Sequence, residues 1–189
     1  KMLKPWPKNL AMLGLGGSIG TKSNGITAKV IAVSSFEELA TRSNEVKGNI
    51  VLFNVPFDTY SNTVKYRVRG AIEASKHGAV ASLVRSVGTF SMNTPHTGNS
   101  SYEDGVKKIP HAAITIEDAA MIGRILENGQ DVEINLKMEA QNYPDVLSHN
   151  LIGEIVGSEF PDQIIVIGGH IDSWDVGQGA MDDAGGCVA

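Results

Sequence analysis

The amino-acid sequence predicts an α/β protein, in which a β-rich N-terminal unit is followed by the first strands of a second α/β sheet. Short apolar runs bounded by glycine, proline and asparagine indicate strands, and apolar residues at helical spacing indicate helices between them. A polar break at Tyr143-Pro144-Asp145 separates residues 1–142 from residues 143–189. The second segment is too short to bury a hydrophobic core of its own.

Serine and glycine residues mark where the elements of the first segment begin and end. Ser34 or Ser35 is expected to cap the first helix, and Gly78 and Gly129 are expected to end the second and the third. The last strand has the strict alternation of apolar and polar residues that a half-exposed strand shows. The predicted strands are residues 10–13, 28–33, 50–55, 80–84, 112–116 and 132–138, and the predicted helices begin at Ser35 and span residues 66–77 and 117–128.

Two further segments are predicted to be connections. The glycines of residues 14–20 differ in spacing from those of a dinucleotide-binding loop, so a turn is expected there. Residues 88–108 are polar and predict a long surface loop, in which His96 is expected to be solvated. The same loop contains Asn99-Ser100-Ser101, an acceptor pattern that makes Asn99 a candidate glycosylation site.

The composition is that of an ordinary globular protein, with 42% hydrophobic and 20% charged residues. The net charge of -5 argues against a nucleic-acid-binding protein, which usually has a basic surface. No apolar run approaches the roughly 20 residues that a membrane span needs. The first residues lack the features of a signal peptide, and we expect the natural N-terminus to lie upstream. Cys187 is the one cysteine and is expected to be a small buried residue.

The residues that follow a predicted buried strand at Ile164–Ile167 carry the strongest chemical signal. A preceding strand is predicted within residues 148–158. Because side chains alternate along an extended chain, His170 and Asp172 are expected to point the same way from the end of the strand. In α/β sheets, ligands bind at that end. The neighbouring carboxylates of Asp182 and Asp183 lie in a glycine-rich loop and are suited to bridging two cations.

The stretch from Gly168 to Gly186 resembles the first metal motif of the M28 family of zinc peptidases. Further segments that resemble the family are residues 14–21, 47–54, 95–98, 108–110 and 136–138. The resemblance covers nearly the whole chain. It implies a protease-associated domain with its flanking linker in residues 1–142 and the start of the M28 peptidase domain in residues 143–189.

The resemblance also implies roles for individual residues. His170 matches a terminal ligand of one zinc ion, and Asp182 matches the carboxylate that bridges two zinc ions. Asp172 matches the acidic catalytic residue that orients the site, and the peptide bond before Asp183 is often cis in the family. The family's Glu-Glu pair, further carboxylate ligand and distant histidine match no position here. We therefore expect the sequence to be incomplete at its C-terminus as well, and the fragment alone to be inactive.

For the complete protein, the resemblance implies a dinuclear zinc exopeptidase, a metallocarboxypeptidase or dipeptidase. Its substrates would be small peptides, which a zinc-activated water hydrolyses to free amino acids, with two zinc ions per complete site. The resemblance further suggests a homodimer that is secreted or lysosomal.

Two alternatives stay open at this stage. One is a non-catalytic binding protein on the same scaffold, as the transferrin receptor exemplifies. The other is a product whose protease-associated domain acts as a lid or an interaction module. The presence of His170, Asp172 and Asp182 favours the enzyme.

Overall fold

A computed structural model describes residues 1–90 and 92–189, which form two compact units, Lys1–Asn142 and Tyr143–Ala189. The described part of the first unit contains seven strands and four helices. The strands are β1 (Met2–Lys4), β2 (Met12–Gly14), β3 (Ile26–Val33), β4 (Ile50–Phe53), β5 (Ala81–Arg85), β6 (His111–Ile114) and β7 (Glu133–Leu136). The helices are α1 (Phe36–Thr41), α2 (Ser43–Val46), α3 (Tyr60–Lys76) and α4 (Ile116–Glu127).

The strands form one mixed sheet in the order β1-β7-β3-β4-β5-β6-β2. The four central strands, β3 to β6, are parallel, whereas β1, β7 and β2 pair antiparallel at the two sides. Because β4 and β5 are parallel neighbours, the segments that leave them emerge at the same edge of the sheet.

Both faces of the central strands are buried, and successive side chains of β4 divide between two hydrophobic clusters. Phe53 packs with residues of α1, α2 and α3 on one face, while Leu52 packs with residues of α4 on the other. Both side chains are fully buried. The first unit is therefore a three-layer α/β structure, which confirms the predicted fold class.

The starts of two helices show which helix boundaries the sequence predicts correctly. Ser35 caps α1, as predicted, because its side chain accepts a hydrogen bond from the backbone N–H of Glu38. Helix α3 begins at Tyr60, six residues before the predicted start at residue 66. Its first turns are largely polar and exposed, so they lack the apolar spacing from which the start was predicted, and Thr59 caps the helix instead.

The strands predicted in the second unit do not form, and this part of the prediction was wrong. Residues 148–158 and 164–167 contain no strand, and Ile165 and Ile167 are 88% and 90% exposed. A strand needs a neighbour to pair with its backbone N–H and C=O groups. No described residue of this unit supplies that neighbour, and its one helix is α5 (Ala184–Cys187).

A search of the described residues finds no helix with the length and apolar character needed to cross a membrane.

A fully buried histidine, His111, lies at the start of β6. Its ring nitrogens lie 3.2 Å from the carbonyl oxygen of Ser82 and 3.0 Å from that of Arg67, and its backbone N–H donates to the Ser18 hydroxyl. Burial lowers the pKa of His111 to about 4, although the carbonyl contacts oppose the shift. The imidazole is therefore neutral in the folded chain.

This burial predicts a loss of stability in mild acid. Because the pKa is about 4 in the folded chain and about 6.5 in the unfolded chain, the unfolded chain binds the extra proton between these values. The free energy of unfolding should thus fall by about 2 kcal/mol between about pH 7 and about pH 5 from this group. Urea unfolding of the native chain and of His111→Gln should show this difference. His149→Gln, which changes an exposed histidine, is the control and should keep the pH dependence of the native chain. The prediction would be contradicted if His111→Gln kept that dependence, or if His149→Gln lost as much of it.

The C-terminal half of β3 lacks a partner strand on one side, because β7 pairs with it only from Ile26 to Lys29. Side chains bond instead to the backbone of Ala32 in β3 and of Ser34, the residue that follows the strand. Arg42 Nη1 donates to the carbonyl oxygen of Ala32 at 2.9 Å, and Glu38 accepts from the backbone N–H of Ser34 at 2.7 Å. Arg42 is itself held by Glu38 and by both carboxylate oxygens of Glu45. The strand edge is in this way closed to pairing with another chain.

Arg42→Ala is therefore expected to increase self-association. It removes the donor at Ala32 and leaves Glu38 without its cation. The stability should change by no more than about 1 kcal/mol, because these ion pairs are partly exposed to solvent. Sedimentation velocity over a concentration series measures the effect, with Arg124→Ala on α4 as the matched control. Identical sedimentation of the two variants would show that Arg42 does not protect this edge.

Candidate metal centre

The second unit brings the three predicted site residues into contact with each other. The Nε2 atom of His170 lies 2.9 Å from Oδ1 of Asp182. The Nδ1 atom lies 2.9 Å from the carbonyl oxygen of Asp172 and 3.1 Å from its Oδ1. The loop from residue 173 to 181 thus returns the chain to the histidine, and both nitrogens of its ring face oxygen acceptors.

These acceptors favour the protonated ring. The backbone carbonyl of Asp172, followed by the Asp182 carboxylate, raises the pKa of His170 above its usual value. The three side chains are exposed by 53% (His170), 88% (Asp172) and 84% (Asp182), so solvent screens the pairing. The arrangement is therefore a surface site in which an imidazole nitrogen and a carboxylate oxygen lie within hydrogen-bonding distance.

The pair of His170 and Asp182 is chemically suited to a metal ion. Imidazole nitrogen and carboxylate oxygen are both zinc donors, and a bound ion takes the place of the proton between them. Among the described residues, however, no group of three or more histidine, cysteine, aspartate or glutamate side chains is arranged to hold a metal. His170 and Asp182 alone are fewer than the four donors that a structural zinc site takes.

Asp183 has a positioning role that the sequence analysis did not foresee. Its Oδ2 atom accepts a hydrogen bond of 3.2 Å from the backbone N–H of His170, and the peptide bond before it is cis. The carboxylate packs so closely against Gly169 and Gly186 that a side chain at either position would collide with it. The glycines on both sides of the motif were the sequence signal for this close approach.

Cys187 is exposed, contrary to the prediction that it would be buried. Its Sγ atom donates to the carbonyl oxygen of His170 at 3.2 Å. It lies on α5, directly after Asp183 and its glycines, so the short helix holds it beside the backbone of the histidine. In the first unit, Asn99 is exposed, and its glycosylation stays a prediction.

The sequence around this site matches a known protein family. Residues 150–189 match peptidase family M28. Carboxypeptidase Q of Xenopus laevis is 58% identical over 185 residues, and that of Homo sapiens is 55% identical over the same length. In both cases the match covers 98% of this chain and 39% of the relative. The chain thus spans about two fifths of the length of these relatives.

Solved structures agree with this relationship. The structure of a peptidase M28 precursor from Shewanella amazonensis superposes with a TM-score of 0.88 at 35% identity, over 96% of this chain and 43% of that one. A zinc aminopeptidase from Bacillus subtilis has a TM-score of 0.51 at 22% identity, over 72% and 29% of the two chains, and shares the fold alone. The chain thus contains a segment of peptidase family M28 at residues 150–189. Among the members of that family, it is similar to carboxypeptidase Q along almost its entire length.

The partial donor set predicts weak zinc binding by the 189-residue chain. We expect at most one ion per chain, lost in His170→Ala and retained in His149→Ala. Binding should weaken in acid from a higher pH than for an ordinary histidine, because the neighbours of His170 raise its pKa and the proton competes with the metal. Isothermal titration calorimetry with zinc at several pH values tests this. Two ions per chain, or unchanged binding in His170→Ala, would rule it out.

Proposed function

We propose that the chain is part of a zinc exopeptidase, a metallocarboxypeptidase or dipeptidase that hydrolyses small peptides to free amino acids. The contact between His170 and Asp182 carries the proposal, because it lies in the segment that matches peptidase family M28. In this proposal, residues 143–189 are the start of the peptidase domain, and residues 1–142 are a protease-associated domain with its flanking linker.

The proposed roles come from the family resemblance, and the contacts of each residue support them. His170 would be a terminal zinc ligand, and Asp182 would be the carboxylate shared between two zinc ions. Asp172 accepts a hydrogen bond from Nδ1 of His170, which fixes the ring and leaves Nε2 for the metal. Asp183 holds the backbone of His170 in place. Zinc bound in such a site acidifies a water molecule and polarises the peptide carbonyl.

The wider setting is also proposed by analogy. The Bacillus subtilis neighbour is named a zinc aminopeptidase, which supports zinc as the metal. Similarity to carboxypeptidase Q supports a peptide substrate for the complete protein. We further propose that the complete protein is a homodimer of the secretory pathway or lysosome, and that Asn99 is glycosylated there.

A chimera tests this function directly. The 185 matched residues of Xenopus laevis carboxypeptidase Q are replaced by those of this chain, and amino-acid release from dipeptides is measured. The chimera should hydrolyse dipeptides, and His170→Ala and Asp182→Asn should abolish the activity because each removes a metal donor. Asp172→Asn should lower it about 10- to 100-fold, the usual cost of losing a residue that orients a ligand.

Two exposed residues of the second unit provide control variants for the chimera. Asp145→Asn and His149→Ala change exposed residues outside the motif and should leave the activity intact. The isolated 189-residue chain should be inactive, since it supplies only two of the donors. A folded, zinc-loaded chimera without activity would favour the non-catalytic relative, and full activity of Asp182→Asn would refute the assigned ligand.

A further inference from the structure

A buried arginine without an acidic partner lies in the first unit, independently of the proposed function. Arg67, on α3, is 7% exposed, and its guanidinium lies against the backbone of Gly98. No described carboxylate lies within 4.0 Å of its nitrogens, although a buried charge is normally paired. Asp58, which precedes α3, does not pair with Arg67. Its carboxylate accepts a hydrogen bond of 2.6 Å from the side-chain amide of Asn62.

The guanidinium is bound to neutral groups. Its Nη2 atom donates to the hydroxyl oxygen of Tyr60 at 2.7 Å, and its Nη1 atom donates to the carbonyl oxygen of Thr97 at 2.9 Å. The same Nη1 lies 3.3 Å from Nδ1 of His96. Its Nε atom has no partner among the described residues. The positive charge of Arg67 is therefore not neutralised by the groups that hold it.

Hydrogen-bond direction fixes what Tyr60 and His96 can offer to a ligand. A guanidinium has only donors, so the oxygen of Tyr60 accepts from it, and a hydrogen bond at the 3.3 Å contact requires the Nδ1 atom of His96 to accept as well. The Tyr60 hydroxyl proton is then available to another acceptor, and this contact assigns the His96 proton to Nε2. Burial of part of the His96 ring, followed by the charge of Arg67, lowers the pKa of His96 and favours the neutral ring, although a hydrogen bond with the backbone of Thr97 opposes the shift. Both residues are exposed at the surface of the unit.

The two donors lie where α/β sheets bind ligands. Tyr60 is the first residue of α3, which follows β4, and His96 lies in the loop that follows β5. Arg67 joins these segments through its hydrogen bonds, so both lie outside the carboxyl ends of adjacent parallel strands. The start of α3 adds the positive end of a helix dipole.

We propose that Tyr60, His96 and Arg67 form a binding site for a carboxylate anion on the first unit. The Tyr60 hydroxyl and the His96 Nε2–H each donate to one carboxylate oxygen, and Arg67 supplies the charge that they lack. Two outward donors match the two oxygens of a carboxylate, whereas a phosphate presents more acceptors than these residues satisfy. Arg67 is the positioning residue, because it sets the direction of both donors.

Acetate is the probe for this site, and acetamide is the neutral control of the same shape. ¹⁵N NMR of the complete 189-residue chain should show His96 as the Nε2–H tautomer before any ligand is added. Acetate at constant ionic strength should then shift the His96 signals with saturation, and acetamide should not. Tyr60→Phe should weaken acetate binding about tenfold, since it removes one hydrogen bond to a charged group. Tyr143→Phe, which changes an exposed tyrosine of the second unit, should have no effect.

The role of Arg67 has a separate test. In Arg67→Lys, the charge is kept but the forked hydrogen bonds are lost, so His96 should populate both tautomers and acetate should bind more weakly. If that variant does not fold, the tautomer of His96 in the native chain still decides the matter. A proton on Nδ1 of His96, or acetate and acetamide shifts of equal size, would overturn the proposal.

Discussion

Pairing of strand backbone groups is the constraint on which this structure depends. The central strands of the first unit are buried on both faces, so their N–H and C=O groups have no access to water and must bond to each other. The parallel neighbours β3, β4, β5 and β6 satisfy this requirement. Beyond the residues of β3 that pair with β7, the side chains of Arg42 and Glu38 bond to the backbone of Ala32 and Ser34. In the second unit, apolar segments without a neighbouring strand remain exposed and irregular.

The same constraint explains which elements could be predicted from the sequence. The buried strand β4 and the Ser35 cap depend on residues that lie next to each other, and both formed as expected. Residues 164–167 have the same apolar character as β4 but lack a partner, which a local pattern does not reveal. The early start of α3 was missed for a related reason, because its cap at Thr59 precedes a polar first turn.

The two candidate sites differ in the same respect, because one is formed by residues close in the sequence and the other by residues far apart. His170, Asp172 and Asp182 were selected from a short motif, and the chain does bring them together within that motif. Their assignment as ligands rests on the family resemblance and stays a proposal. The cluster around Arg67 joins Tyr60 to His96, which lie 36 positions apart in the numbering, through a long surface loop. No spacing rule predicts such a contact, and the sequence suggested only a solvated histidine.

Three histidines show how the neighbours, rather than the residue type, determine the chemistry. His111 faces carbonyl oxygens at both nitrogens, but it is fully buried, and burial lowers its pKa to about 4, so its ring stays neutral. His170 faces oxygen acceptors at both nitrogens, which raises its pKa and suits it to hold a cation between its ring and Asp182. Burial, followed by the neighbouring guanidinium of Arg67, lowers the pKa of His96, and we propose that its remaining proton lies on the nitrogen away from Arg67. An exposed histidine beside acceptors, such as His170, is thus suited to a metal, and one beside a donor, such as His96, is suited to an anion. The two proposed sites differ in sign because the groups beside each ring differ in sign.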